Sequence, residues 1–255
     1  MLQKISALEH ESGSTDNSAL AILDSLRAIR NENPNLRMIF TGSVGLHHVL
    51  AELRGNRFAS QPVNDMPRID IGPLTTEYAS HLARDLLDKE EIKCDSPEAV
   101  VEHLVRLTDR VPFYIHRVVS KLAIVEGTVT SETVESEIKK CLTADSDPWQ
   151  MEHFRQRLKI YYRDTIQDVN GLAVATASVA KTLLNNLAVA AEPQSIDQCN
   201  ADLKSKMPIE NRDAVIELLS SLAKDHYLER DEDGRYAFRF PLVQRWWILA
   251  EGLSG

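Results

Sequence analysis

The chain has 255 residues, of which 43% are hydrophobic and 26% charged, an ordinary composition for a globular protein. Its net charge of −9 argues against a general nucleic-acid coating function, which needs a basic surface, although a local basic face remains compatible with it. No apolar run approaches the roughly 18 residues of a membrane span, and the three cysteines contain no C-x-x-C pair. We therefore expect a cytoplasmic protein with no membrane partner, no disulfide framework and no metal site.

The first 73 residues contain two short apolar segments that are typical of strands. Leu36–Phe40 follows a predicted helix, and Thr41-Gly42-Ser43 breaks the run before Ser43 caps another helix. A second short strand is predicted over Arg68–Ile71. Fully apolar strands belong to parallel sheets that are covered on both faces, and a two-stranded sheet is marginal alone. These segments therefore predict the end of a larger α/β domain.

Residues 74–145 have a helical pattern almost throughout. Thr75 or Thr76 opens the first helix, with Tyr78 and Leu87 expected on its inward face. Pro97 stands in the first turn of a second helix, where proline is tolerated, and a third helix is predicted to begin after Pro112. The run TVTSETVESEIKKCL predicts a fourth helix, and the polar stretch TADSD near residues 143–147 predicts a linker.

Residues 146–255 follow a different order. Four helices are predicted over PWQMEHFRQRLKIYY, ATASVAKTLLNNLAVA, SIDQCNADLKSKM and NRDAVIELLSSLAKD. A β-hairpin around DEDG and a last helix, PLVQRWWILAEGL, follow them. Three helices followed by a hairpin is the order of a winged helix-turn-helix. Phe238, Phe240, Trp246 and Trp247 could line a partner groove, but aromatic residues at this density favour a core.

Thr41-Gly42-Ser43 has two interpretations. In an open parallel sheet, ligands bind beyond the carboxyl ends of the strands, where a hydroxyl could contact a γ-phosphate or orient a water molecule. Alternatively, Gly42 makes a turn and Ser43 caps a helix, which the local sequence favours. The neighbouring run GSVG is not a phosphate-binding loop, because the pattern G-x-x-x-x-G-K-[ST] occurs nowhere in the sequence.

Three stretches, taken in their order along the chain, are similar to a known family: ALAILDSLRAIRNENPNLRMIFTGSVGLHHVL, IDIGPLTTEYASHLARDLL and LVRLTDRVPFYIHRVVSKL. They resemble the back half of P-loop ATPases of the AAA+/STAND group, in particular the archaeal-ATPase-like branch that is related to origin-recognition ATPases. The resemblance covers residues 1–145 in order and residues 146–255 more loosely. It implies a mostly α fold with a small α/β part: the end of the ATPase core with the sensor-1 strand (1–73), a helical lid (74–145) and a winged-helix domain (146–255).

The resemblance implies roles for residues near the predicted strands. Thr41 and Ser43 match the sensor-1 region, the polar strand end that reads the γ-phosphate. Arg54, Arg57 and Arg68 flank the loop from which these families send an arginine finger towards phosphate or a neighbouring subunit. A solvated surface charge is the alternative for each of these arginines, and it is the interpretation that we favour.

A second group of matching residues lies in the lid. Arg110-Val111-Pro112 matches the turn where the family often has Gly-x-Pro against the nucleotide base. Arg110 replaces the glycine, a departure that bears on how closely the backbone can approach that base. His116 and Arg117 lie where sensor-2 basic residues occur. All four residues, Arg110, Pro112, His116 and Arg117, are therefore candidate nucleotide-binding residues.

Walker A and Walker B have no match in the sequence, so the phosphates and Mg²⁺ have no cradle here. The parent family is an ATPase, but we expect this chain not to hydrolyse ATP by itself and to contain no catalytic residue. ATP and Mg²⁺ would bind only with an upstream part. The chain would then be a fragment, or a truncated reading frame whose Met1 was internal in an ancestral gene.

Three functions follow from the sequence. The leading one is a sensor, lid and winged-helix part that couples nucleotide state to a partner. The alternatives are a stand-alone partner-binding protein with a degenerate ATPase remnant, and a winged-helix DNA-binding regulator. From Gly171 to Gly255, nine basic residues stand against twelve acidic ones, and the predicted wing ERDEDGR is mostly acidic. This balance favours a protein partner, or the ATPase core itself, over DNA.

Overall fold

The computed structural model describes residues 18–40, 66–67 and 69–254. The chain divides into two compact units, residues 1–71 and residues 72–255. In the described ranges, ten helices and two antiparallel two-stranded sheets form, which confirms the prediction of a mostly helical chain with few strands. None of the described helices has the length and apolar character that crossing a membrane requires.

The first unit has one described helix, α1 (Ser18–Glu32). The predicted strand at Leu36–Phe40 is wrong, because these residues form no strand and Ile39 is 85% exposed. The second predicted strand is also wrong in its described part, where Ile71 is 87% exposed. A strand needs a neighbouring strand for its backbone N–H and C=O groups, and neither segment belongs to either of the two described sheets. The predicted Thr41-Gly42-Ser43 corner lies outside the described residues.

A four-helix module occupies residues 76–143. It consists of α2 (Thr76–Lys89), α3 (Pro97–Leu107), α4 (Pro112–Leu122) and α5 (Ser131–Thr143). The predicted starts are found: the Thr75 hydroxyl accepts from the Tyr78 N–H, and proline occupies the first turn of α3 and of α4. Helix α2 packs on α3 and α4, and α5 packs on the same two helices, so the four apolar faces share one core.

The inward face of α2 differs in part from the predicted one. Leu87 is buried as predicted, together with Ala79 and Ala83, whereas Tyr78 is exposed. Two alanines on this face allow α2 to approach its neighbours closely, so the larger Tyr78 side chain lies to the side of the contact.

Residues 152–251 contain the remaining elements, and those from α7 onwards (176–251) are called the C-terminal module below. In order they are α6 (Glu152–Tyr161), β1 (Thr165–Gln167), β2 (Ala173–Ala175), α7 (Thr176–Val189), α8 (Ile196–Lys206), α9 (Arg212–Lys224), β3 (Leu228–Arg230), β4 (Tyr236–Phe238) and α10 (Pro241–Glu251). Strands β3 and β4 pair antiparallel with Leu228 opposite Phe238. The predicted order of three helices and then a hairpin is therefore found in α7 to β4. The β1–β2 hairpin was missed.

The core of the C-terminal module surrounds Trp247, whose exposed fraction is 0%. Its ring contacts those of Tyr227, Phe238 and Trp246, and its indole N–H donates to the Asn185 side chain at 2.8 Å. The core interpretation is therefore confirmed for Phe238, Trp246 and Trp247, whereas Phe240 is only partly buried. Helix α10 packs on α7 and also on α5, so it joins the C-terminal module to the four-helix module.

Candidate functional site

The turn between α3 and α4 has an uncommon backbone. Asp109 and Arg110 have φ values of 53° and 60°, in the left-handed region that costs a non-glycine residue about 1–2 kcal/mol. The Arg110 N–H donates to the Val105 carbonyl at 3.1 Å, which closes the end of α3. Glycine adopts this conformation readily, whereas Arg110 and Asp109 adopt it at a cost in backbone energy.

The same turn contacts two elements that are distant in sequence. The Arg110 carbonyl accepts from the Leu74 N–H at 3.1 Å, in the segment that leads into α2. The Asp109 carboxylate accepts from the Leu242 N–H at 2.7 Å, in the first turn of α10. The turn is therefore the place where the entrance to the four-helix module meets the C-terminal module.

A cleft of about 560 Å³ lies beside this turn. Its wall is formed by α2, α3, the turn itself and the segment that begins α10. Four arginines line it, namely Arg84, Arg106, Arg110 and Arg239. Three carboxyl groups line it as well, those of Glu98, Glu102 and Asp109.

Three of the cleft arginines are available for an anion. Arg84, Arg106 and Arg110 form no ion pair within 4 Å with any residue in the described part of the chain. A guanidinium presents several N–H groups in one plane and pairs well with carboxylate or phosphate. An anionic group is therefore the ligand chemistry that this cleft suits.

Burial governs the acid–base behaviour of the cleft wall. It raises the pKa of the Asp109 carboxyl to about 6, against the opposing effects of the Leu242 N–H bond, Arg245 and Arg110. Burial also lowers the pKa of Arg245, although Asp109 acts in the other direction. Burial therefore favours the neutral form of Asp109 more than water would.

The residues predicted for nucleotide binding lie in different places. Arg110 lines the cleft, and Pro112 occupies the first turn of α4 without lining it. His116 and Arg117 are exposed and do not line the cleft, and the Arg117 guanidinium lies over the Phe113 ring at 5.1 Å. The remaining candidates lie outside the described residues: Thr41, Ser43, Arg54, Arg57 and Arg68.

Sequence reasoning missed most of the cleft. Arg106 and Arg110 flank Asp109 in the run RLTDRVP, four residues apart in sequence, so this pair carried a local signal. Arg84 reads as an ordinary polar position of an amphipathic helix. Arg239 comes from the end of the β3–β4 hairpin, more than a hundred residues away, and only the fold brings it to the cleft.

The third helix and hairpin of the C-terminal module present mainly acidic or paired groups. On α9, Arg212 forms an ion pair with Asp197 at 2.8 Å, and its neighbour Asp213 is exposed. The hairpin loop exposes Asp231, Glu232 and Asp233. These charges would repel the phosphates of a nucleic acid.

No described group of three or more His, Cys, Asp or Glu side chains could hold a metal ion. No protein-family model matches the chain, and comparison with curated proteins found no match.

Proposed function

We propose that the chain is the sensor, lid and winged-helix part of an AAA+/STAND-type ATP-binding protein, and that it couples nucleotide state to a partner. The four-helix module is the lid, and the C-terminal module is the winged helix. The observation that carries the proposal is the α3–α4 turn, which contacts the entrance to α2 through Leu74 and the start of α10 through Leu242. A ligand against this turn would bias both modules together, as a population shift.

Element order supports the winged-helix assignment. Gln194, between α7 and α8, exchanges two backbone hydrogen bonds with Tyr236 of β4, at 2.7 and 2.9 Å. This adds a short third strand beside the β3–β4 hairpin. The order is then helix, strand, two helices and hairpin, as in winged helix-turn-helix domains.

ATP and Mg²⁺ would be held by a P-loop core, since this sequence contains no Walker A pattern. The chain alone would contribute Arg110 and the neighbouring turn, and would not hydrolyse ATP. Its partner would be a protein, or the ATPase core itself, because the α9 face and the hairpin loop are acidic or paired. The three free cysteines suit a reducing cytoplasm as its location.

Hydrogen exchange of the full chain with ADP at about millimolar concentration tests the proposal. Without a phosphate cradle, binding should be weak, but we expect slower exchange in peptides that cover residues 105–115. Arg110→Ala should remove this effect. Arg163→Ala is the matched control, because Arg163 is exposed and does not line the cleft.

Other outcomes distinguish the alternatives. If ADP protects no peptide and the chain is stably folded, a stand-alone partner-binding protein is favoured. A salt-dependent shift of duplex DNA by the purified chain would favour a DNA-binding regulator. ATP-Mg²⁺ binding in the micromolar range would contradict the view that the phosphate cradle belongs to a separate core.

A further inference from the structure

The cleft beside the α3–α4 turn runs along two neighbouring helices. Helices α2 and α3 pack on each other, and the Leu74 N–H donates to the Arg110 carbonyl at 3.1 Å, which places the start of α2 beside the end of α3. The two helices are therefore antiparallel. The residues that line the cleft recur with helical spacing, at 76, 80 and 84 in α2 and at 98, 101, 102, 105 and 106 in α3. Because a helix rises 1.5 Å per residue, each of these rows is about 12 Å long.

One end of the cleft, beside the α3–α4 turn, is basic. Its wall contains three arginines, Arg106, Arg110 and Arg239, and one carboxylate, that of Asp109. The Asp109 carboxylate accepts from the Leu242 N–H at 2.7 Å, so part of its capacity to accept hydrogen bonds is used within the protein. Guanidinium groups therefore dominate the polar surface at this end.

The other end, beside the first turns of α3, is more acidic. Glu98 and Glu102 contribute two carboxylates there, and Arg84 of α2 contributes one guanidinium. Between the two ends, Val101 and Val105 line the cleft and are buried, so its floor is apolar. The cleft therefore offers opposite charges at its two ends with an apolar strip between them.

The charged groups of the cleft are not neutralised by one another. Glu102 and Arg106 stand four positions apart on one helix with the acidic residue first, which is the favourable order for a helical ion pair. No ion pair within 4 Å forms between them among the described residues, and the same holds for Glu98, Arg84 and Arg110. All five of these residues are exposed, so a ligand that carries charges of both signs can reach them.

Ligands with one sign of charge match only part of the cleft. A nucleic acid or another polyanion would bring phosphates towards Glu98 and Glu102, where they would be repelled. A single phosphate group would use the basic end alone. A peptide, in contrast, can carry acidic and basic side chains at a fixed spacing and cover an apolar strip between them.

We propose that the cleft is a docking site for an extended peptide segment of a protein partner, with acidic residues facing Arg106 and Arg110 and basic residues facing Glu98 and Glu102. An extended chain advances about 3.3 Å per residue, so about four residues span the cleft. Side chains four residues apart point to the same face of such a chain. The site rests on the proposed function for the kind of partner, but it needs no nucleotide, so the ADP experiment and the experiment below can fail separately.

Fluorescence anisotropy of the full chain with labelled six-residue peptides tests the site. DDSSKK and its reverse KKSSDD cover the two chain directions, NNSSQQ is the uncharged control and DDSSDD is the polyanion. At low salt we expect the better of the two mixed-charge peptides to bind at least about tenfold more tightly than NNSSQQ and also more tightly than DDSSDD. Tighter binding of DDSSDD would show a general anion site and overturn the proposal, as would no binding at about millimolar peptide.

Charge substitutions at the two ends separate this site from non-specific attraction. Arg106→Glu should weaken binding of the mixed-charge peptide by about tenfold. Glu102→Lys should weaken the same peptide and strengthen DDSSDD, so that the preference between the two is reversed. Lys159→Glu and Glu126→Lys make the same charge changes at positions outside the cleft and should have little effect. A loss in these controls as large as that in the cleft variants would mean that net charge alone governs binding, which would refute the docking site.

The four variants should fold, because each changes an exposed side chain. Amide chemical shifts of the unmodified chain provide a measurement that needs no variant. With the mixed-charge peptide, we expect the largest shift changes in residues 76–84 and 98–110 and little change in α8. Changes centred on another part of the chain would place the peptide elsewhere and contradict the proposal.

Discussion

Apolar residues on the two sides of Gly72 differ in their exposure. Ile39, in the apolar run Leu36–Phe40, is 85% exposed, whereas Trp247 in α10 has no exposed surface. Both segments are apolar enough to predict burial from sequence. The difference is that α10 has α5 and α7 to cover it, and Leu36–Phe40 belongs to neither of the two described sheets.

The comparison shows how helices and strands differ in what they need. A helix satisfies its backbone hydrogen bonds internally, so local pattern and capping can define it before any partner is present. A strand leaves its N–H and C=O groups for a neighbour, so the same local pattern is insufficient without a second strand. Substitutions on either side of Gly72 test this difference.

The largest effect is expected for Trp247→Ala. Because Trp247 is fully buried among Tyr227, Phe238 and Trp246, its loss should destabilise residues 72–255 by about 3–5 kcal/mol. The measurement is the free energy of unfolding from urea titration. Tyr78→Ala is the control, since Tyr78 is an exposed aromatic in the same unit and should change stability by only about 0.5 kcal/mol.

A smaller effect is expected for Tyr162→Phe. The Tyr162 hydroxyl donates to Asp225 Oδ2 at 2.7 Å, and both side chains are buried. Removing one donor from a buried carboxylate should cost about 1–3 kcal/mol of unfolding free energy. Tyr78→Phe removes a hydroxyl from an exposed ring and should have no measurable effect. Equal stability of the two variants would show that the buried bond contributes nothing.

The N-terminal cap of α5 should contribute less to the free energy of unfolding than the hydrogen bond between Tyr162 and Asp225. Thr130 Oγ1 accepts from the Thr133 N–H at 3.3 Å, and Thr133 Oγ1 accepts from the Thr130 N–H at 3.2 Å. Thr130→Ala should therefore destabilise by about 1 kcal/mol, with Thr130→Ser close to the wild type because it keeps the oxygen. A loss of the same size in the serine variant would point to the methyl group instead of the cap.

Helix starts were predictable because their signals are local. Thr75, Pro97 and Pro112 each mark a start that the structure contains, and the glycine of DEDG marks the β3–β4 hairpin. The missed β1–β2 hairpin also had a local signal, since Asn170-Gly171 stands at its turn and Gly171 has a φ of +76°. That signal was weaker because β1 and β2 contain no buried residue, whereas β3 and β4 each place at least one apolar side chain in the core.

The site was predictable only in part, because most of it depends on long-range contacts. Arg110 could be found from the run RLTDRVP, but its neighbour Asp109 contacts Leu242, which is 133 residues further along the chain. His116 and Arg117 follow the same proline turn, yet α4 buries Ile115, Val118, Val119 and Leu122 and so turns these two basic residues outwards. The local spacing indicated that charged side chains lie near the turn, but it did not indicate which way they point.

The smallest effect is expected in the first unit, at Ile39. Its side chain is 85% exposed, so Ile39→Ala should change the unfolding free energy by no more than about 0.5 kcal/mol. Leu23→Ala is the matched comparison in the same unit, because Leu23 in α1 is only 1% exposed and its truncation should cost about 2 kcal/mol or more. Urea unfolding and hydrogen exchange of α1 peptides measure both changes. A loss at Ile39 as large as that at Leu23 would mean that the run Leu36–Phe40 is covered in solution, and the contrast across Gly72 would then disappear.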